Sequence, residues 1–323
     1  MNDALYTFSN RLPAQFPSQI VVDVTERCNL ACVHCAHADF EKGPHYAGTY
    51  MSKEIHDKLI AESATDGQGY LKYLRYTAMG EPLLHPMIFD FIDKAAHEAG
   101  CAVTLTTNGT LLDAEAAQKL LDSGISIIDI SLDAFTAKSY ELVRRGGNRD
   151  KTYENVLNLI KLRDKYSSNT KIVTSFIEQP LNKDETEEFN NFWLLNGIDD
   201  VIIRRLHSQA GSNSQIASEI MELNRNKERR PCLYPWERLC LSARGTLGFC
   251  PANWDHSADC GDLAKSSIKE VWQGDFLNEL RAQHVGNRIC QLPCADCPDW
   301  AQTRWPHEGR SYADMVADFT GKN

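Results

Sequence analysis

The stretch TERCNLACVHCAH, residues 25–37, places Cys28, Cys32 and Cys35 within eight positions and supplies no fourth cysteine. Thiolates are soft ligands suited to zinc and to iron–sulfur clusters. A closed structural metal site is saturated by four ligands, whereas three protein ligands leave one coordination position open for chemistry. Two arrangements therefore fit: a four-iron cluster with one open iron, or a zinc ion that recruits His34 or His37 as its fourth ligand. The chain holds eleven cysteines, a high count for a reducing compartment where structural disulfides do not persist. Metal or redox chemistry is the better first account of them.

The elements that must position this loop are legible from residue 19 onward as an alternation of short β-rich runs with helical patterns. QIVVDVT precedes SKEIHDKLIAES, YLKYLRYT precedes PMIFDFIDKAAHEAG, and CAVTLTT precedes DAEAAQKLLDSG. SIIDISL then precedes TYENVLNLIKLRDKY, KIVTSFI precedes DETEEFNNFWLLNG, and DDVIIRRL closes the series. Such βα repeats predict a parallel sheet with helices outside it. Six strands are fewer than the eight of a closed barrel, so the expected fold is α/β, a partial (β/α)6 barrel. Ser52 and Asp113 occupy N-cap positions, while Gly100, Gly124 and Gly197 close helices. In such a sheet the chemistry belongs at the carboxyl ends of the strands. The cysteine loop, MGEP (79–82), TNG (107–109) and SLDA (131–134) follow or end the first four strands, so they share one face.

The pattern breaks after Leu206 into the polar HSQAGSNSQIASE, and from Pro231 the chain is dense in cysteine with short, irregular elements. The expected organisation is an N-terminal extension at 1–18, the barrel at 19–210 and a linker at 211–230. A small metal-stapled domain follows at 231–300, then a tail at 301–323 in which SYADMVADF forms a terminal helix. With 42% hydrophobic residues and no apolar run near the ~20 residues of a membrane span, the chain reads as soluble. Its first residues lack a basic start followed by an apolar stretch, so no signal peptide is expected and the location reads as cytoplasmic. A net charge of -10, from 34 basic and 44 acidic residues, opposes a nucleic-acid surface. The one basic cluster, NRNKERR at 224–230, reads as a solvated linker.

On its CxxxCxxC following a first β-strand, the chain resembles the radical S-adenosylmethionine (SAM) superfamily. The resemblance implies that Cys28, Cys32 and Cys35 hold a 4Fe-4S cluster whose open iron is chelated by the amino and carboxylate groups of SAM. An electron from the cluster then splits the sulfonium into methionine and a 5′-deoxyadenosyl radical, which abstracts a substrate hydrogen. An external one-electron donor such as flavodoxin or ferredoxin is implied with it. MGEP resembles the family's GGEP, with Met79 in place of the first glycine, so Gly80, Glu81 and Pro82 are expected at the SAM ammonium and Asn108 in the same cofactor site. ISLDA (130–134) resembles the fourth-strand stretch that puts Ser131 and Asp133 near the ribose or carboxylate. VRRGG (143–147) resembles the segment whose arginine pairs with the SAM carboxylate, and Arg144 is the better aligned of its two arginines. A guanidinium fork suits a carboxylate through paired charge-assisted hydrogen bonds. One departure is His34, where the family usually carries an aromatic residue on the adenine side. This resemblance covers residues 19–206.

Cys232, Gly245 and Cys250 fit the CX9-15GX4C opening of the SPASM and twitch auxiliary-cluster domains, and CADC (294–297) supplies a later CxxC. SSIKEVWQGDFLNELR resembles the helical segment that usually precedes it. The CX2CX5CX3C run of a full SPASM domain is absent. The shorter twitch pattern fits Cys232, Cys250, Cys294 and Cys297 and implies one auxiliary 4Fe-4S cluster with all four ligands from protein. A zinc ribbon is the competing account of the same cysteines. Cys101 begins a strand and reads as a core residue, and Cys290 could join Cys294 and Cys297 around a second, incompletely ligated cluster.

A fully ligated auxiliary cluster cannot bind substrate, so the resemblance points to a role in taking or relaying an electron during a two-electron oxidation. Single-cluster twitch enzymes include aminocyclitol dehydrogenases, and related proteins epimerise sugars. The expected activity is therefore oxidation or epimerisation of a small polar substrate, a carbohydrate or cyclitol. Epimerisation needs a hydrogen donor opposite the substrate radical, for which Cys240 and Cys260 are the candidate catalytic thiols. His207, Gln209 and Glu178 stand near the ends of the last two strands as candidate substrate contacts. A peptide-modifying maturase is the alternative enzyme, disfavoured by the ~20 residues before the first strand, too few for a peptide-recognition domain. A non-catalytic zinc or iron–sulfur module, with no SAM affinity, is the alternative outside enzymes.

Overall fold

Alternation along each strand sorts side chains between a helix-covered outer layer and the lumen of a barrel. The computed structural model describes residues 15–252, 254, 256–290, 293–301 and 309–321. Six parallel strands pair in chain order: β1 (Gln19–Val22), β2 (Tyr73–Tyr76), β3 (Ala102–Thr107), β4 (Ile127–Ser131), β5 (Lys171–Glu178) and β6 (Asp200–Arg205). Helices Lys53–Ala64, Ile88–Glu98, Ala114–Asp122, Arg149–Tyr166 and Thr186–Leu195 make the crossovers. This is the partial (β/α)6 barrel that the alternation predicts. The Ser52 hydroxyl accepts from the Ile55 amide and the Asp113 carboxylate from the amides of Glu115 and Ala116, so both helices start where their caps stand. A further helix, Ala137–Val143, lies between β4 and the fourth crossover, where the sequence pattern gave no separate element.

Ile20, Val22, Leu74, Tyr76, Val103, Leu105, Ile128 and Ile130 point outward into the main hydrophobic core under the helices. The intervening residues face the lumen, and there the layer is polar. Asp129 is fully buried and accepts from the Ser175 hydroxyl, from Arg75 Nη2 at 3.0 Å and from Arg204 Nη2 at 2.7 Å. One carboxylate thereby ties together β2, β4, β5 and β6. Below it, at the amino ends of the strands, Tyr73, Ala102, Ile127 and Val173 form an apolar floor covered by Met315 and Val316. These two come from the terminal helix Tyr312–Thr320, whose Ser311 makes a capping box with Asp314. The Tyr312 ring lies 3.8 Å from the Arg75 guanidinium.

The sheet does not end with β1. Strand β7 (Arg238–Leu241) pairs with it in parallel, and β8 (Thr246–Gly248) and β9 (Asp259–Asp262) continue antiparallel, giving the order β6-β5-β4-β3-β2-β1-β7-β8-β9. The cysteine-dense segment, expected to be irregular, thus shares the barrel's sheet. Strands of three and four residues are too short for a period of two to stand out in the sequence.

Replacing Asp129 by Ala should lower the unfolding free energy by about 2–3 kcal/mol, because two partly buried guanidiniums lose their fully buried carboxylate; denaturant titration measures it, and a loss below about 1 kcal/mol would show that the pairs do not hold the lumen.

Candidate functional site

A cavity of about 1180 Å³ runs through the lumen to the carboxyl ends of the strands. Cys28, Cys32 and Cys35 line it, and so do Cys232, Cys250, Cys294 and Cys297.

The cysteine loop is pinned from three sides. The Ala31 and Val33 amides donate to the carbonyls of Arg145 and Val143 at 2.9 and 3.0 Å. The buried Glu26 carboxylate accepts from the Ala47 and Thr49 amides, each at 3.0 Å, and from Arg244 Nε at 2.6 Å. Burial raises the Glu26 carboxyl, but Arg244 and the two amides outweigh it and hold the group below its ordinary value. On the third side, MGEP approaches the loop backbone to backbone. The Glu81 amide donates to the Arg27 carbonyl at 2.8 Å. A Cβ on Gly80 would stand 2.0 Å from the Thr25 carbonyl oxygen and 2.5 Å from that of Arg27, so only glycine fits. Just before it, Ala78 adopts a φ of 120°, a strained value for a residue with a side chain.

Glu81 points away from this contact. Its oxygens accept from Thr107 Oγ1 at 2.6 Å, the Asn108 amide at 2.8 Å and the Leu83 amide at 3.2 Å. Burial raises its carboxyl above the ordinary value against those hydrogen bonds. Asn108 Nδ2 in turn donates to Asn29 Oδ1 at 2.9 Å, joining the third loop to the first. Glu81 and Asn108 line the cavity while stapling its rim, with Met79, Gly80 and Ser131 beside them. Pro82 is buried at the start of a short 3-10 turn and does not line the cavity.

Arg144 lines the cavity, and its Nη2 pairs with Asp133 Oδ2 at 2.5 Å while Nη1 lies 3.7 Å from Cys32 Sγ. Asp133 is fully buried behind it with a left-handed φ of 57°, and its other oxygen accepts from the Ile177 amide at 2.7 Å. Asp133 therefore positions Arg144 rather than lining the chamber. His34 Nε2 lies 3.4 Å from the same Asp133 oxygen and Nδ1 accepts from Gln179 Nε2 at 3.3 Å, while burial pushes the imidazole down to about 4. His37 Nε2 donates to the Glu26 carbonyl at 2.7 Å. Both nitrogens of His34 are thus engaged, which removes the support for a zinc ion on that ring; His37 keeps its Nδ1 free among the described residues but does not line the cavity that the three cysteines face.

Desolvation pushes Cys28 up to about 12 and Cys32 to about 11, and raises Cys35. It pushes Cys250 and Cys297 up to about 12 as well. Such thiols stay protonated unless metal charge replaces the proton, which is how iron binding recruits them. Among the described residues, no three His, Cys, Asp or Glu side chains gather as closely as a single metal ion requires. A polynuclear cluster, in which each thiolate binds its own iron, suits thiols spread along a cavity wall.

The other cysteines lie elsewhere. Cys240 stands on β7 opposite Val21, and Cys260 on β9 with its thiol donating to the Leu247 carbonyl at 3.3 Å; neither lines the cavity. Cys290 is exposed and Cys101 is buried in the core. His207 and Gln209 line the cavity and Glu178 does not. Gln209 Oε1 accepts from the Ala36 amide at 2.6 Å, a tie on the cysteine loop that neighbouring residues do not announce. Arg244 was equally invisible, because its partner is 218 residues away.

Residues 22–191, just over half of the chain, match the family model of the radical SAM superfamily, and the chain belongs to that superfamily. Residues 232–298 match the SPASM iron–sulfur cluster-binding domain. These two domains bring SAM, a 4Fe-4S cluster and an auxiliary cluster. The GTP 3′,8-cyclase of Peptoclostridium acidaminophilum is 31% identical over 202 residues, 59% of this chain and 56% of that protein. The chain spans 34–56% of the length of such curated relatives. Among solved structures, Streptococcus suis SuiB bound to precursor peptide SuiA aligns with a TM-score of 0.64 at 15% identity, over 96% of this chain and 75% of that one. BtrN in complex with AdoMet and 2-DOIA aligns at 0.54 and 16%, over 83% and 86%. Both share the fold. No helix among the described residues is long and apolar enough to cross a membrane.

Arg244→Ala should destabilise the protein by about 1–2 kcal/mol, since the lost charged hydrogen bond is partly screened by solvent. Because Glu26 is held below its ordinary 4.5 in the folded state, the contribution of this pair should be full above that pH and fall away as pH drops through the folded value. Denaturation of wild type and variant across pH 3–7 measures the difference, and a pH-independent gap would refute the pairing.

Proposed function

We propose that this chain is a radical SAM oxidoreductase that oxidises a small polar substrate, a carbohydrate or aminocyclitol, between two iron–sulfur clusters. The observation that carries the reading is that both cysteine sets line one continuous chamber. The cluster and SAM that these residues would hold would supply hydrogen abstraction from the substrate, and the auxiliary cluster would supply a place for the second electron of the oxidation. Cys28, Cys32 and Cys35 would hold the first cluster, and Cys232, Cys250, Cys294 and Cys297 the second. Arg144, fixed by Asp133, offers its remaining N–H donors to the SAM carboxylate. Gly80, by letting MGEP touch the cysteine loop, brings the backbone of Met79 and Gly80 to the chamber for the SAM ammonium. Ser131 and Asn108 add polar edges to the same rim. A barrel at 19–210 and a cluster domain at 231–300 are the units of this proposal, and a flavodoxin or ferredoxin would be the external electron donor.

Oxidation is the form proposed because the four cysteines assigned to the auxiliary cluster line the chamber and give the second electron a place to go; Cys240, in register with Val21, and Cys260 remain the candidate hydrogen donors for epimerisation.

Anaerobically reconstituted and reduced protein should form 5′-deoxyadenosine from SAM, and the triple variant Cys28→Ala/Cys32→Ala/Cys35→Ala should form none. Cys294→Ala/Cys297→Ala should lose about four irons per chain and all oxidised product while retaining SAM cleavage. Deuterium carried from a labelled cyclitol or sugar into 5′-deoxyadenosine identifies the substrate class; transfer only from a labelled peptide would replace this reading with the maturase one.

A further inference from the structure

The lumen carries more positive charge than its own carboxylates balance. Arg75 and Arg204 share the single carboxylate of Asp129, which leaves one charge uncompensated. Arg238 faces the same cavity from β7. Its register partner on β1 is Gln19, which also pairs with Tyr73 on β2, so Arg238 and Tyr73 stand at one level on one face of the sheet. Tyr73 is within electrostatic reach of both Arg238 and Arg75, which joins the three arginines into one cationic wall.

Arg238 differs from the other two in its partners. Its guanidinium lies 3.7 Å from the centre of the Tyr234 ring and its Nε is buried without a hydrogen-bond partner among the described residues, with the Glu237 carboxylate acting on it only through electrostatics. A buried Nε–H without an acceptor costs free energy, and the partly exposed guanidinium faces the cavity, where an arriving anion can accept from it. Stacking on Tyr234 leaves the edge of the fork free, the geometry a guanidinium uses for planar oxyanions.

We propose that the substrate of this chamber carries an oxyanion group, phosphoryl or carboxylate, that seats on Arg238 with the Arg75–Arg204 pair beside it. This deepens the functional reading above and rests on the chamber being the substrate site. The anion lies toward the amino ends of the strands, and the rest of the substrate extends toward the cysteine loop. Arg238 is an anchor in this scheme and takes no part in the redox step.

The test is calorimetric titration of the reconstituted holoenzyme, with SAM present, by inorganic phosphate and separately by acetate. At least one anion should saturate a single site, and the tighter of the two identifies the group. Arg238→Gln should weaken that binding about tenfold or more, while Arg225→Gln, an exposed arginine at the end of a surface helix, should bind as wild type does. Should the glutamine variant fail to load its clusters, Arg238→Lys carries the test. It keeps the charge but not the fork, and should weaken binding about threefold or more. Lack of saturable binding by either anion overturns the proposal, as does undiminished binding in the Arg238 variant. So does a variant in which only the spectrum or potential of the auxiliary cluster moves, because Arg238 would then serve Cys250 nearby. The titration needs no turnover. Wild-type protein that binds neither anion yet forms 5′-deoxyadenosine in a substrate-dependent way refutes this inference alone, whereas absence of that formation refutes the functional reading and leaves the titration readable.

Discussion

The contact on which the rest of the site depends is the approach of Gly80 to the root of the cysteine loop. With a Cβ position only 2.0 Å from the Thr25 carbonyl, the second βα loop is in backbone contact with the first. Any side chain there would push apart the two segments that must converge on one cofactor. The strain at Ala78 and the three hydrogen bonds on Glu81 belong to the same constraint. They hold a turn that would otherwise relax away from the loop, at the expense of local backbone energy. The rim of the chamber is thus rigid because its polar groups are spent on one another.

Electrostatics divides the molecule in the opposite sense to its composition. The chain as a whole is acidic at -10, yet the lumen is walled by Arg75, Arg204, Arg238 and Arg144 against the buried Asp129 and Asp133. In a low-dielectric lumen each of these charges is felt more strongly than on the surface. Arg144 is committed to Asp133 and to the cysteine loop, and Asp129 joins four strands of the barrel. The lumen therefore does two jobs with one residue type: paired arginines hold the scaffold, and Arg238, stacked on Tyr234, remains for a ligand.

The extension of the sheet through β7 explains how two cysteine sets far apart in the chain face one space. Since β7 pairs in register with β1, the segment that carries Cys232 and Cys250 is fastened to the strand that leads into the first cysteine loop. Arg244, in the turn after β7, then reaches Glu26 in that loop. Two parts that the family models describe as separate domains are here bound by a strand pair and by a charge pair whose carboxylate is buried, and this fixes the position of one cysteine set relative to the other.

The sequence by itself determined the class and most of the frame. Six β-rich runs alternating with helical patterns dictated the partial barrel, Ser52 and Asp113 marked their helix starts, and the spacing of Cys28, Cys32 and Cys35 with MGEP and Arg144 pointed to the superfamily. These signals are local: each depends on periodicity, a cap or a short spacing, which a chain expresses without knowing its neighbours. Only the tertiary structure decided that Glu81 staples two loops and that Asp133 lies behind Arg144. It also decided the pairing of β7 with β1, the covering of the lumen floor by the terminal helix, and the stacking of Arg238 on Tyr234. Each of these is set by where a side chain points once distant strands are in register, and residues up to 218 positions apart, such as Glu26 and Arg244, leave no mark of that in the order of the chain.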